Sequence, residues 1–258
     1  MEASLEIGET LITPWPDRPW YFYVAEGFRK DLLFVLQELS RLGGGREWFV
    51  VGGGLSLLMH GRLAHQVMWD VDLIFRDRIS LYQFLGVRKD DRLRVVDLDE
   101  KFGEASEVFS FHTAWSFDRR WIKVDYLYRK IWFSFHRATI AEKGEYKEDI
   151  KLGESSFHLC LPVVYPWDIF VEKLMSPRFA EDFRLRNDMS YDIRHVLILY
   201  QQERENPVFW NYIQKRAGDH GLLGGLKDRL LSLLEKREEL GYGHVRVLPE
   251  TLRRIQSW

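Results

Sequence analysis

Apolar residues recur at helical spacing across 25–42, at Phe28, Leu32, Leu33, Val35, Leu36, Leu39 and Leu42, and Gly43, Gly44 and Gly45 then break the pattern. The spacing predicts a helix stopped by glycines. A short apolar run at 48–51 predicts a strand, Gly52, Gly53 and Gly54 follow it, and 55–60 reads as a second helix closed by Gly61. Period-two alternation predicts strands at 69–75 and 92–98, with a short helix at 80–85 between them. Two longer alternating stretches, 107–117 and 121–128, flank Asp118, Arg119 and Arg120 and suit a hairpin. After a further apolar strand at 157–164 the period changes. Pro166 opens a helix through 175, and helical patterns follow at 191–202, 207–217 and 226–240. The chain therefore reads as α+β, with a mixed sheet and flanking helices over 1–164 and a helical domain over 165–258. No internal repeat or low-complexity segment interrupts it.

The composition narrows the chemistry. With 258 residues, 46% of them hydrophobic, the chain can bury a substantial core. No apolar run reaches the roughly 20 residues of a membrane span, and Glu2, Glu6 and Glu9 stand where a secretory leader would be basic and then apolar, so a cytoplasmic protein is expected. A single cysteine, Cys160, excludes internal disulfides and multi-cysteine zinc sites, and its place in an apolar strand predicts burial. The 8 histidines show no pair at helical i, i+4 spacing, so any metal should be held by oxygen. A formal charge of −2 gives no global attraction to nucleic acid, although Arg184, Arg186 and Arg194 would make a local basic face. The 10 tryptophans sit mostly at core spacing.

The sharpest chemical signal lies in 69–75. Alternation puts Trp69, Val71, Leu73 and Phe75 on one face and Asp70 and Asp72 on the other. Two like charges about 6 to 7 Å apart repel unless a cation sits between them, and a hard divalent ion, most naturally Mg²⁺, suits carboxylate oxygens. The alternative is an edge strand with its acidic face in water. In 121–127, Ile122, Val124 and Tyr126 share one face and Lys123, Asp125 and Leu127 the other, so a third carboxylate is placed to meet the first two across strands. Gly52, Gly53 and Gly54 let backbone N–H groups approach a phosphate, with Ser56 as a hydroxyl donor, although such a loop also serves as a plain tight connection.

A glycine loop, a helix, an Asp-x-Asp strand and a later single-Asp strand resemble the signature of DNA polymerase β-like nucleotidyltransferases over 49–128. The resemblance implies that Gly52, Gly53 and Ser56 hold the β- and γ-phosphates of an NTP. It implies that Asp70 and Asp72 ligate magnesium, with two ions possible, and that Asp125 joins them or accepts the attacking hydroxyl's proton. The reaction would be attack on the α-phosphate with loss of pyrophosphate. Residues 165–174, with Pro166, Asp168, Lys173 and Leu174, look like the Pro-x-Asp-Leu-x-x-x-Lys-Leu helix of the AbiEii-like group, the nucleotidyltransferase toxins of toxin–antitoxin systems. That likeness implies that Lys173 reaches the triphosphate, that an RNA such as tRNA is the acceptor, and that an antitoxin partner exists. The same group's Arg/Lys-Asp-x-x-Asp-Leu helix start is matched imperfectly by Asp188 and Asp192, which have three residues between them instead of two and follow Asn187 where a basic residue is usual. Lys173 also reads as a solvated helical lysine, and Asp188 and Asp192 as ordinary helix-start acids. Two other readings remain: a nucleotidyltransferase of small molecules such as aminoglycosides, and a nucleotide-binding module of the same fold without catalysis.

Overall fold

The computed structural model describes residues 18–43, 45–63, 70–102, 108–117, 120–176 and 190–258. They fall into two compact units, one within 18–165 and one within 166–258. Gly44, Trp69, Asp118, Arg119, Arg184, Arg186, Asn187 and Asp188 lie outside the described residues. Among the described residues no helix is long and apolar enough to cross a membrane.

The first unit is a mixed sheet with helices. A 3-10 turn, Trp20–Tyr23, leads into α1, Glu26–Gly43, whose Leu32, Leu33, Val35, Leu36, Leu39 and Leu42 are all buried. Then come β1 (Phe49–Val51), α2 (Gly53–Met59), β2 (Asp70–Phe75) and α3 (Arg78–Gly86). They are followed by β3 (Leu93–Phe102), β4 (Val108–Phe117) and β5 (Arg120–Arg129). The strand order is β1-β2-β5-β4-β3; β2 and β5 run parallel and every other neighbouring pair is antiparallel. The sequence expectation of a mixed sheet with flanking helices is met.

One sheet face is apolar and closed. Val71, Leu73, Phe75, Ile122, Val124, Tyr126 and Trp115 on it are all fully buried. The Asp77 side chain caps α3 by accepting from the Ser80 amide at 2.6 Å. That helix seats Phe84 against Phe75, Tyr126 and Phe49, with ring centroids 5.3, 5.5 and 5.5 Å away. Asp31 of α1, buried in spite of its charge, pairs with Arg120 at the start of β5 at 2.9 Å.

Three elements of this unit depart from the sequence expectation. The helix α4 (Lys130–Lys143) follows β5 directly, with no glycine or proline to mark its start. The strand β6 (Tyr146–Leu152) buries little beyond Ile150, so it shows no clear apolar alternation. Its partner β7 (Ser155–Leu161) ends earlier than the expected 164 because Pro162 has no N–H for pairing. Val163 instead forms a parallel bridge with Val51, and the Val164 amide donates to the Val51 carbonyl at 2.9 Å, which covers the outer edge of β1. Side chains of α1 cap the open edge of β7: Gln37 Oε1 accepts from the His158 amide at 3.2 Å and Ser40 Oγ from the Cys160 amide at 3.1 Å.

The second unit is helical: α5 (Pro166–Leu174), α6 (Ser190–Glu203), α7 (Pro207–Asp219), α8 (Leu223–Lys236) and α9 (Pro249–Gln256). Asn206 caps α7, accepting from the amides of Val208 and Phe209, and Pro207 starts the helix. Phe209 packs between Trp167 and Phe170 of α5, with centroids 5.5 and 5.2 Å away. The short α9 is absent from the sequence expectation because it buries only Thr251 and Ile255, too few positions to set a period.

Candidate active site

The parallel pairing of β2 with β5 fixes the geometry of the acidic face. Its register sets Asp70 beside Lys123, Asp72 beside Asp125 and Ile74 beside Leu127. Strands lie about 4.8 Å apart and residues two apart on one strand about 6.6 Å. Three carboxylates therefore share one patch of a single sheet face, opposite the buried Val71, Leu73 and Val124. Asp70 and Asp72 are half-buried and Asp125 is buried.

The glycine loop is built against this patch. The Gly52 amide donates to the Asp72 carbonyl at 2.9 Å, which ties the loop to the acidic strand. Gly53 takes φ +67°, a left-handed conformation that glycine adopts without strain. A Cβ there would lie 1.9 Å from Asp72 Oδ2 and 2.9 Å from Asp72 Cγ, so the carboxylate occupies the space a side chain would fill. A Cβ at Gly52 would stand 3.0 Å from Ile74 Cδ1. The first two glycines thus have a steric purpose that depends on the acidic strand.

Asp125 is engaged from two sides. Lys123 Nζ donates to its Oδ2 at 2.7 Å, and His112 Nδ1, on β4 directly opposite Asp125, donates to its Oδ1 at 2.8 Å. An ionised carboxylate only accepts, which makes Nδ1 the protonated ring nitrogen. Burial pulls the Lys123 ammonium down, but the bond to Asp125 and the fields of Asp125, Asp72 and Asp70 outweigh it, and its pKa is raised. Lys123 is therefore a charged cation among the three acids.

Among the described residues, no three His, Cys, Asp or Glu side chains are grouped so that they could hold an ion by themselves. A magnesium ion seldom needs such a group, since it is commonly bound through one or two carboxylates and completes its shell with water and substrate phosphate. Asp70 and Asp72 supply hard oxygen donors of that kind, and the Gly53 cradle holds the Asp72 carboxylate in place. Those oxygens suit a hard divalent ion.

Gly54 is half-buried in the first turn of α2. Ser56 is fully buried and its hydroxyl donates to the Gly53 carbonyl at 2.8 Å, so it braces the loop from within. Lys173 belongs to the helical unit, where its Nζ is paired with Asp192 Oδ1 and both side chains are largely buried; it is not a solvated lysine. Asp168 is fully buried, accepting from the Tyr212 hydroxyl at 2.7 Å, with Arg216 3.6 Å away. Cys160, expected to be buried, is exposed because it falls on the outward side of β7. Slight loss of hydration at its thiol and the bond to Glu145 raise its pKa, which makes it a poor nucleophile.

His112 went unseen in the sequence because it has no histidine or cysteine neighbour. The signal that finds it is the hairpin register: counting back from the pairing of Phe117 with Arg120 brings His112 opposite Asp125.

No family model and no curated protein matches the chain. Among solved structures it is similar to an antigenic nucleotidyltransferase-like protein from Paracoccidioides brasiliensis, at 13% identity and a TM-score of 0.43 over 86% of this chain and 96% of that one. It is also similar to JHP933 from Helicobacter pylori, at 12% identity and a TM-score of 0.38 over 91% of this chain and 90% of that one. At such identity and superposition, nothing about chemistry passes from them to this chain.

Proposed function

We propose that this chain is a nucleotidyltransferase that moves a nucleoside monophosphate from an NTP to an acceptor and releases pyrophosphate. The observation that carries the reading is the fit of the Asp72 carboxylate against Gly53, in a strand pair that sets Asp72 beside Asp125. A loop shaped around an acid brings phosphate-binding amides and a metal-binding carboxylate to one place.

In this reading Asp70 and Asp72 hold Mg²⁺, which when bound polarises the phosphate under attack. The backbone amides of Gly52, Gly53 and Gly54 receive the β- and γ-phosphates. Asp125, fixed by His112 and Lys123, orients the acceptor hydroxyl and takes its proton. By resemblance to the AbiEii-like group, the acceptor is an RNA such as tRNA, and an antitoxin protein restrains a cytoplasmic enzyme.

The test uses purified protein with Mg²⁺ and each of the four NTPs, and tRNA or a panel of aminoglycosides as acceptor, beside Asp70→Asn/Asp72→Asn. Transfer to tRNA by the unaltered chain and none by the variant is the expected result. Transfer to an aminoglycoside alone would keep the chemistry and replace the acceptor. Absence of both transfer and metal-dependent NTP binding would overturn the reading.

A further inference from the structure

We propose that the Lys123 ammonium takes the place of a second divalent ion, so that the site works with one metal ion, held by Asp70 and Asp72. The inference rests on the reading of those two residues as metal ligands and goes beyond it.

Three carboxylates share one patch of sheet face, and their mutual repulsion must be met by positive charge. Part of that charge is built into the chain. Lys123 stands beside Asp70 in the β2–β5 register, and its Nζ lies 2.7 Å from Asp125 Oδ2. The other oxygen, Oδ1, accepts from His112 at 2.8 Å. Both oxygens of Asp125 are therefore engaged by donors from β4 and β5, and Lys123 sits in the fields of Asp70 and Asp72 as well.

A magnesium ion would have to approach a carboxylate oxygen to about 2.1 Å in a near-octahedral shell. At Asp125 it would meet a tethered ammonium already on one oxygen and an N–H on the other. A strand-anchored lysine needs no ion from solution and keeps Asp125 oriented beside Asp72. One metal ion at Asp70 and Asp72 then completes the set.

The experiment is a titration of the full chain with Mn²⁺ alone, following free Mn²⁺ by electron paramagnetic resonance. The unaltered chain should bind one ion, and Asp70→Asn/Asp72→Asn should bind none. Lys123→Met, checked for folding by circular dichroism, should bind a second ion, whereas Lys123→Arg should stay at one. Two ions on the unaltered chain would overturn the proposal without help from any variant. So would a count that stays at one in folded Lys123→Met. If the unaltered chain binds no Mn²⁺, or Asp70→Asn/Asp72→Asn binds as much as the unaltered chain, the metal reading of Asp70 and Asp72 fails and this proposal falls with it.

Discussion

Gly53 and Asp72 occupy one another's space, and that contact makes the loop specific. Alanine at position 53 would have to adopt φ +67° and place its Cβ 1.9 Å from Asp72 Oδ2. The left-handed backbone alone is worth about 1–2 kcal/mol, and the collision forces the carboxylate to move. Gly53→Ala is expected to lower stability by about 1–3 kcal/mol and to abolish nucleotide transfer. Urea denaturation and the transfer assay read the two effects separately, and a variant of unchanged stability and activity would contradict the packing described. In the sequence the three glycines look alike; only the register of β2 against the loop distinguishes Gly53. Lys123 was visible on the face of Asp125, yet its bond to that acid depends on side-chain reach that alternation does not specify.

His60, at the end of α2, gives a second test at this scale. Its ring is enclosed by Tyr146 and Tyr165, with centroids 5.8 and 6.0 Å away. Burial, helped by the charge of Arg62 and opposed by a bond to the Val164 backbone, lowers its pKa from 6.5 to about 4. Between those values the unfolded chain takes up a proton that the folded chain does not. Stability is then fully present above about pH 6.5 and is lost as pH falls toward 4, at about 1.4 kcal/mol per unit. Urea midpoints measured at pH 7, 6 and 5 should fall in that order, and His60→Gln should flatten the decline. A slope the substitution leaves unchanged would place the titrating group elsewhere.

At the scale of elements, the short helix α3 buries Ser80, Leu81 and Phe84, and Phe84 is the largest of the three. Phe84 is fully buried among Phe49, Phe75, Tyr126 and Trp115. Phe84→Ala should destabilise the chain by about 3–5 kcal/mol, read from the urea midpoint at unchanged slope. A loss below about 1 kcal/mol would show that the site collapses around the smaller side chain. Elements with a strong period were legible: α1, the hairpin of β4 and β5, and the acidic strand all fall within a few residues of the sequence expectation. The elements that were missed have physical reasons. The helix α4 buries Phe133, Phe135, His136, Thr139 and Ile140, and its aromatic start continues the strand-like composition of β5. In β6, Lys147, Glu148, Asp149 and Lys151 are mostly turned to solvent, so pairing with β7 defines the strand more than apolar alternation does.

Across the whole molecule, the α+β class and the helical character of 166–258 followed from the change of hydrophobic period. The order β1-β2-β5-β4-β3 did not, because the parallel union of β2 with β5 joins strands distant in sequence and leaves no local trace. That union makes the candidate site, since it turns two separate acidic strands into one patch of three carboxylates with a lysine among them.

The central claim is nucleotidyl transfer at Asp70 and Asp72, and the most direct test follows the phosphorus. The chain is incubated with Mg²⁺, tRNA and an NTP labelled either at the α- or at the γ-phosphate. The account predicts that α-label appears on the acceptor, that γ-label leaves only as pyrophosphate, and that both processes stop in Asp70→Asn/Asp72→Asn. Appearance of γ-label on the acceptor, or α-label transfer undiminished in the variant, would contradict it.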